Sequence, residues 1–358
     1  MNDIIRHFPI AGAVTGCTPF GSGHINRTFL VTTESGQRYV LQEVNSHVFR
    51  DVPGLMANVA AVCAHLRRRD PDPRHSLSFH AAREGAAFHR TADGRFFRLM
   101  DFIPGGVCLD APDSPEDLRQ AGAAFGQFQR MLADFPADAL TETIPHFHDT
   151  PDRFRQLREA IAENRAGRLH TVQAEVDALL SREADADLLA GLCRTGKLPL
   201  RVTHNDTKLN NVMLDETTRQ PLCVMDLDTV MPGLAAHDFG DAIRSGANTA
   251  AEDEVDVDRV RLSMEAYRAF AAGFLSACGQ SLIPTEIETL PWGARLMTLE
   301  CAVRFMTDHL NGDVYFAIHR ENHNLDRCRA QLALLADMER RWAEMNEVIR
   351  QATADMPQ

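Results

Sequence analysis

His204-Asn205-Asp206-Thr207-Lys208-Leu209-Asn210-Asn211 is the stretch on which the fold turns. It follows an apolar run and so reads as a loop after a strand, with Lys208 two and Asn211 five positions beyond Asp206. In phosphoryl transfer to an alcohol, a carboxylate must accept the hydroxyl proton. A neutral amide oxygen a few residues on can hold magnesium without quenching that base. Asp206 meets the first need and Asn211 the second. Lys208 would offer positive charge to the γ-phosphate oxygens as the transition state forms; its plainer reading is a solvated loop lysine.

Further along, Val224-Met225-Asp226-Leu227-Asp228 places a carboxylate at the end of a buried strand, where a hard cation needs an oxygen ligand. Asp226 is the expected metal clamp with Asn211, and Asp228 shares the metal shell or orients the loop. Each carboxylate alone is equally a cap or a surface charge; their joint spacing carries the reading. Upstream, Phe20-Gly21-Ser22-Gly23-His24-Ile25-Asn26 sits between strand-like segments, and its glycines would let backbone N–H groups approach phosphates. A hairpin turn explains two glycines as well, and no Gly-Lys-Ser/Thr follows, so this is not a Walker A loop.

The flanks supply the scaffold. Thr28 to Thr32 and Arg38 to Gln42 predict a hairpin around Glu34-Ser35-Gly36, and Leu55, Val59, Val62 and Leu66 predict a helix over Asp51 to Arg69. Strand character returns from Ser76 to Phe102 and ends in a hinge, Ile103-Pro104-Gly105-Gly106. Beyond it, Ser114 caps a helix from Pro115 to about Asp134. Further helical sequence covers 151–193, 253–278, 284–311 and 321–350, interrupted by a β-like island from Leu200 to Asp228. The expectation is an α+β, bilobal, protein-kinase-like fold: a nucleotide lobe at 1–103 and a mainly helical catalytic and substrate lobe at 104–358.

Composition narrows the partners. At 358 residues the chain exceeds the size at which one core keeps growing, which favours two lobes and a cleft. A formal charge of -13 argues against nucleic-acid phosphates or anionic lipid as partners, and small molecules fit better. The eight cysteines stand singly, without a C-x-x-C pair, and read as reduced thiols. With no leader-like N-terminus and no long apolar run, a cytoplasmic monomer or homodimer is expected.

Taken together, the glycine loop, hinge, H-x-D-x-x-x-x-N loop and strand-ending Asp resemble the aminoglycoside phosphotransferase and choline kinase superfamily across residues 15–245. More narrowly, G-S-G-H-I-N-R-T-F, H-N-D-T-K-L-N-N-V, D-L-D-T-V-M-P-G-L and D-F-G-D-A-I-R resemble the bacterial N-acetylhexosamine 1-kinases. The resemblance implies transfer from ATP, with magnesium, to the anomeric hydroxyl of an N-acetylhexosamine. Carried over by residue, Asp206 is the base, with Lys208 beside it, and Asn211 and Asp226 bind the metal. Gly21, Ser22, Gly23, Gln42, Asp101 and Ile103 belong to the nucleotide site. His24, Asn26 and Arg244 join Asp206 at the substrate.

One departure from the wider kinase pattern stands at Val40-Leu41-Gln42, where a strand lysine normally meets the α- and β-phosphates. The following helix also has no Glu between Asp51 and Arg69 to pair with such a lysine, and a Gln42 to Asn58 hydrogen bond is one conceivable replacement. The missing charge keeps a nucleotide-binding pseudokinase as an alternative. Another is a kinase of the same fold acting on an amino alcohol, methylthioribose or an aminoglycoside. His319 and His323, and His146 and His148 about Phe147, read as surface clusters and not as metal sites. Asp238 of the second Asp-Phe-Gly reads as a loop-fixing residue, and Asp238 with Arg244 as a structural pair.

Overall fold

The computed structural model describes residues 1–21, 23 and 25–356. Ser22 and His24, both expected at the site, lie outside the described residues. A short helix α1 (Asn2–Ile5) precedes β1 (Val14–Pro19), β2 (Arg27–Thr33), β3 (Arg38–Val44), helix α2 (Val52–Arg69), β4 (Phe79–His80), β5 (His89–Arg90) and β6 (Phe96–Asp101). These strands form one antiparallel sheet in the order β1-β2-β3-β6-β4, with β5 also on β6. The β2–β3 hairpin turns at Gly36, whose φ of +79° suits a residue without a Cβ. Asp51 starts α2 by accepting the Gly54 N–H at 3.0 Å, with Pro53 in the first turn.

The chain leaves this sheet at Asp101 and enters a second one at β7 (Gly106–Cys108). Helices α3 (Pro115–Met131), α4 (Thr150–Glu163), α5 (Gln173–Leu180) and α6 (Leu188–Arg194) follow. Next come β8 (Arg201–Thr203), β9 (Val212–Asp215), β10 (Pro221–Val224) and β11 (Met231–Gly233). The chain ends in α7 (Ala235–Gly246), α8 (Met264–Cys278), α9 (Pro284–Asn311), α10 (His323–Arg340) and α11 (Trp342–Ala354). Strands pair in two small sheets, β10-β9-β7 and β11-β8, so the island at 200–228 is a platform for the loops between its strands.

Glycines let the helices supporting that platform approach closely. A Cβ on Gly122 of α3 would lie 2.3 Å from the Phe270 carbonyl oxygen of α8, and one on Gly293 of α9 would lie 1.9 Å from the Ala236 oxygen of α7. An apolar cluster joins α2 (Val59, Val62) through Met100 and Ile103 to Leu222, Leu227 and Val230, so the sheet and the platform share buried surface.

Two helix expectations change. Residues 253–262 form loop and one 3-10 turn, because Asp256 turns its carboxylate onto the Asp258 N–H and Ser263 caps α8. The span 321–350 is two helices that part at Arg341.

Candidate active site

The loop after β8 is held from below by the first turns of α7. Asp238 accepts the His204 N–H at 3.0 Å on one oxygen and the Asn205 N–H at 2.8 Å on the other, and takes a third bond from Gln129 Nε2 at 2.6 Å. Asp241 accepts the Thr207 N–H at 2.9 Å. Backbone donors that a strand would satisfy are met here by buried carboxylates, which frees the loop to project Asp206. Asn205 takes a φ of 65°, a left-handed turn that asparagine tolerates, pinned by Thr203 at 2.9 Å and the Thr229 carbonyl at 2.9 Å.

His204 is buried and has a defined tautomer. Its Nδ1 accepts the Asp206 N–H at 3.3 Å, so Nε2 is the donor to the Met225 carbonyl at 2.7 Å. The ring thereby ties the Asp206 loop to the residue before Asp226. Asp226 itself has φ 51° and ψ 61°, a strained backbone for a residue with a Cβ, seated between β10 and a single 3-10 turn.

Asn211 donates Nδ2 to the Asp206 carbonyl at 2.8 Å and to Asp206 Oδ2 at 3.1 Å, which leaves its amide oxygen for a cation. Lys208 Nζ lies 3.1 Å from Asp206 Oδ1, and that carboxylate's charge, against the effect of burial, raises the lysine pKa. The Asp226 side chain opens to the cleft yet is crowded by protein. Desolvation first, then the charges of Asp228 and Asp206, push its pKa up to about 6, with Arg98 opposing them.

Asp206, Lys208, Asn211 and Asp226 line one cavity of about 340 Å³, whose facing wall carries Gly23, Asn26, Thr28 and Gln42. Asp110 and Asn210 close one side, and Phe49 lines it from the turn before α2. Gly21 has a φ of +78° with open space about its Cβ position. Two hard oxygen donors, from the loop after β8 and the end of β10, thus meet in a polar cavity, a donor set that fits magnesium.

Not every expected residue faces that cavity. Asp101 gives its carboxylate to His80 Nε2 at 2.7 Å, and this hydrogen bond lowers its pKa. Ile103 packs its side chain into the cluster around α2. Arg244 is buried, with its guanidinium on Asp241 at 2.8 Å and Glu252 at 2.7 Å, off the cavity lining. The expected Asp238–Arg244 pair is therefore replaced by Asp241–Arg244, because both Asp238 oxygens are occupied by backbone N–H groups. Asn58 does not reach Gln42: it bonds the Thr141 N–H and the Thr141 and Val230 carbonyls.

Two histidines expected at the surface are turned inward: the His148 side chain is 10% exposed and His323 is buried. His148 donates Nδ1 to Glu300 at 3.0 Å and Nε2 to the Asn205 carbonyl at 3.1 Å, supporting the loop after β8. Burial opposes its charge, but the Glu300 hydrogen bond and carboxylate outweigh that and raise its pKa. His323 accepts the His319 N–H at 3.1 Å and bonds Asp253 at 2.9 Å. Local spacing showed neither partner, since Glu300 and Asp253 are remote in the chain.

The model of the phosphotransferase enzyme family matches residues 16–273, more than half of the chain. The chain belongs to this family. Among solved structures, the fold of this family member is similar to an aminoglycoside phosphotransferase from Alicyclobacillus acidocaldarius, at 13% identity and TM-score 0.65, covering 99% of this chain and 96% of that one. A microcompartment-associated aminopropanol kinase matches at 15% identity and TM-score 0.58, covering 96% of this chain and 97% of that one. An ethanolamine kinase from Plasmodium vivax matches at 14% and 0.58, covering 88% and 82%. The phosphotransferase family fold, with its antiparallel sheet followed by a helical part, is thus shared with all three. Among the described residues, no helix is long and apolar enough to cross a membrane.

Proposed function

We propose that this phosphotransferase is an ATP- and magnesium-dependent sugar kinase that phosphorylates the anomeric hydroxyl of an N-acetylhexosamine. The nucleotide lobe would be residues 1–103 and the substrate lobe 104–358. The observation that carries the kinase reading is the convergence of Asp206, Lys208, Asn211 and Asp226 on one cavity walled by the central strands of the sheet. Support for the sugar is the run of motifs at 21–29, 204–212, 226–234 and 238–244. Ile103, two residues past the end of β6, would offer its backbone N–H and C=O to the adenine edge.

In this reading Asp206 orients the acceptor hydroxyl and takes its proton, while the Asn211 bond to Oδ2 and the Lys208 contact to Oδ1 fix the carboxylate's orientation. Asn211 and Asp226 would hold magnesium, which supplies charge neutralisation of the diphosphate leaving group. Lys208, half-exposed on the cavity side, brings its ammonium to the transferring phosphoryl oxygens.

The cavity's charges support a neutral acceptor. Asp226 serves the metal, Asp228 is spoken for by Arg98, and Lys208 balances Asp206, leaving Asp110 as the remaining acid. An ammonium-bearing acceptor would call for additional carboxylates or an aromatic cage, and Phe49 is the one aromatic side chain lining this cavity among the described residues.

The test is a coupled ADP-release assay with ATP, magnesium and a panel of N-acetylhexosamines, hexoses, ethanolamine, choline and kanamycin. Turnover of an N-acetylhexosamine to an acid-labile 1-phosphate, lost in Asp206→Ala, is expected. Turnover of ethanolamine or kanamycin alone would overturn the sugar assignment, and nucleotide binding without turnover of any acceptor would overturn the kinase reading.

A further inference from the structure

The structure shows what stands at the place of the missing strand lysine. Gln42 of β3 pairs directly with Thr28 of β2 on one side and Arg98 of β6 on the other. Directly opposed residues of neighbouring strands share a face, so these three side chains form one row across the sheet. Gln42 Nε2 donates to Thr28 Oγ1 at 3.1 Å, and Arg98 Nε donates to Gln42 Oε1 at 2.9 Å. Gln42 therefore works as a relay that aims a guanidinium from the next strand.

That guanidinium is almost fully buried, with its side chain 2% exposed and that of its partner Asp228 3% exposed. Burying such a pair is costly, and a large apolar residue would fill the same space more cheaply. Its direction is informative. From α2 it meets Met56, whose sulfur lies 3.7 Å from the guanidinium, and α2 carries no Asp or Glu. The ion pair instead runs to Asp228, in the loop that also carries Asp226. The other Asp228 oxygen accepts from Asn26 Nδ2 at 2.6 Å, and Asn26 in turn accepts the Asn45 N–H at 3.0 Å. With a protein donor on each oxygen, Asp228 serves as a strut between the Asp226 loop and the sheet side.

We propose that Arg98 is a positioning residue for phosphoryl transfer: by clamping Asp228, it locks the Asp226 loop to the sheet and to the exit of the glycine loop. This deepens the kinase reading above and rests on it. The physical logic is that Asp226 occupies a strained backbone conformation two residues from Asp228. Such a conformation persists only when its surroundings over-determine it. One carboxylate held by two side chains of the sheet side, Arg98 and Asn26, meets that need without a lysine–glutamate pair through α2.

The experiment compares wild type, Arg98→Met and the double variant Arg98→Met/Asp228→Leu, all as full-length chains. Calorimetry measures AMP-PNP binding with and without magnesium; thermal unfolding and ATP turnover are followed in parallel. Arg98→Met strands a buried carboxylate, whereas the double variant replaces both charges by apolar groups and regains stability. The expected result is that the folded double variant still binds AMP-PNP without magnesium but loses at least tenfold of the magnesium-dependent affinity and of kcat. A double variant that unfolds like wild type and keeps magnesium-dependent affinity within twofold would overturn the proposal, because the pair would then be structural only. Should Arg98→Met fail to fold, the double variant alone carries the test. Because the binding measurement needs no acceptor, inactivity of wild type on every acceptor of the panel counts against the kinase reading and leaves the Arg98 binding result readable.

Discussion

Asp238→Asn separates the loop's support from its chemistry. The substitution conserves volume, so no cavity opens, but it replaces one acceptor oxygen by an NH₂ group. Both Asp238 oxygens face N–H donors, at 2.8 Å from Asn205 and at 3.0 and 2.6 Å from His204 and Gln129. Whichever way the amide turns, at least one buried donor then confronts another donor. A hydrogen bond to a charged acceptor contributes about 1.5–3 kcal/mol, so the loss is about 3 kcal/mol with one bond gone and one donor stranded. A chain of 358 residues unfolding as a unit has an entropy of about 0.75 kcal/mol/K, which converts that loss to a fall of about 4 °C in Tm. Because Asp206 follows Asn205 directly, kcat should fall at least tenfold as the base loses its orientation. Circular dichroism melting and ADP release at saturating ATP measure both. A folded Asp238→Asn protein with wild-type kcat would refute the reasoning, as would an unchanged Tm.

Asp206→Ala should do the opposite: turnover drops by about 10²- to 10⁴-fold while Tm moves little, since the side chain is only partly buried; a large Tm loss would count against it. Lys208→Met should lower kcat at least tenfold with the melting curve unchanged, its one ion pair being half-exposed. The His148–Glu300 pair makes stability pH-dependent. His148, with its pKa raised above 6.5, contributes fully below that pH and fades as pH rises through the folded value. Glu300, with its pKa lowered below 4.5 against the opposing effect of burial, loses its contribution on acidification. Wild type should therefore lose Tm faster than His148→Gln as pH rises above 6.5, and parallel curves would rule this out. Gly293→Ala should cost about 1–3 kcal/mol by pressing a methyl onto the Ala236 carbonyl, read as a lower denaturation midpoint.

Residues close in sequence carried most of what could be read before the structure. Asp206 and Asn211 share one loop, and a strand followed by a loop leaves few ways to place them, so their spacing already implies convergence. The β2–β3 hairpin and α2 followed from alternation and helical periodicity, which are local properties of the chain. The acidic segment at 253–262 was expected to open the helix that follows it, but Asp256 and Ser263 turn their side chains onto backbone N–H groups, so the helix starts only at Met264. Arg98 gave no signal at all: an arginine inside an apolar strand has no local partner, and Asp228 lies 130 residues away. His148 was equally opaque, because only the fold brings Glu300 beneath it.

The sequence alone determined the order of the candidate groups, an aspartate, an amide and a second aspartate whose joint spacing points to phosphoryl transfer, on strands and helices whose periods are written locally. Tertiary structure decided how that chemistry is held. It assigned Asp238 and Asp241 to the loop backbone, paired Asp228 with Arg98, and removed Arg244 from the cavity lining. The physical reason is that a buried charge takes its meaning from its partner, and partners across 34, 130 or 152 residues exist only once the chain has folded.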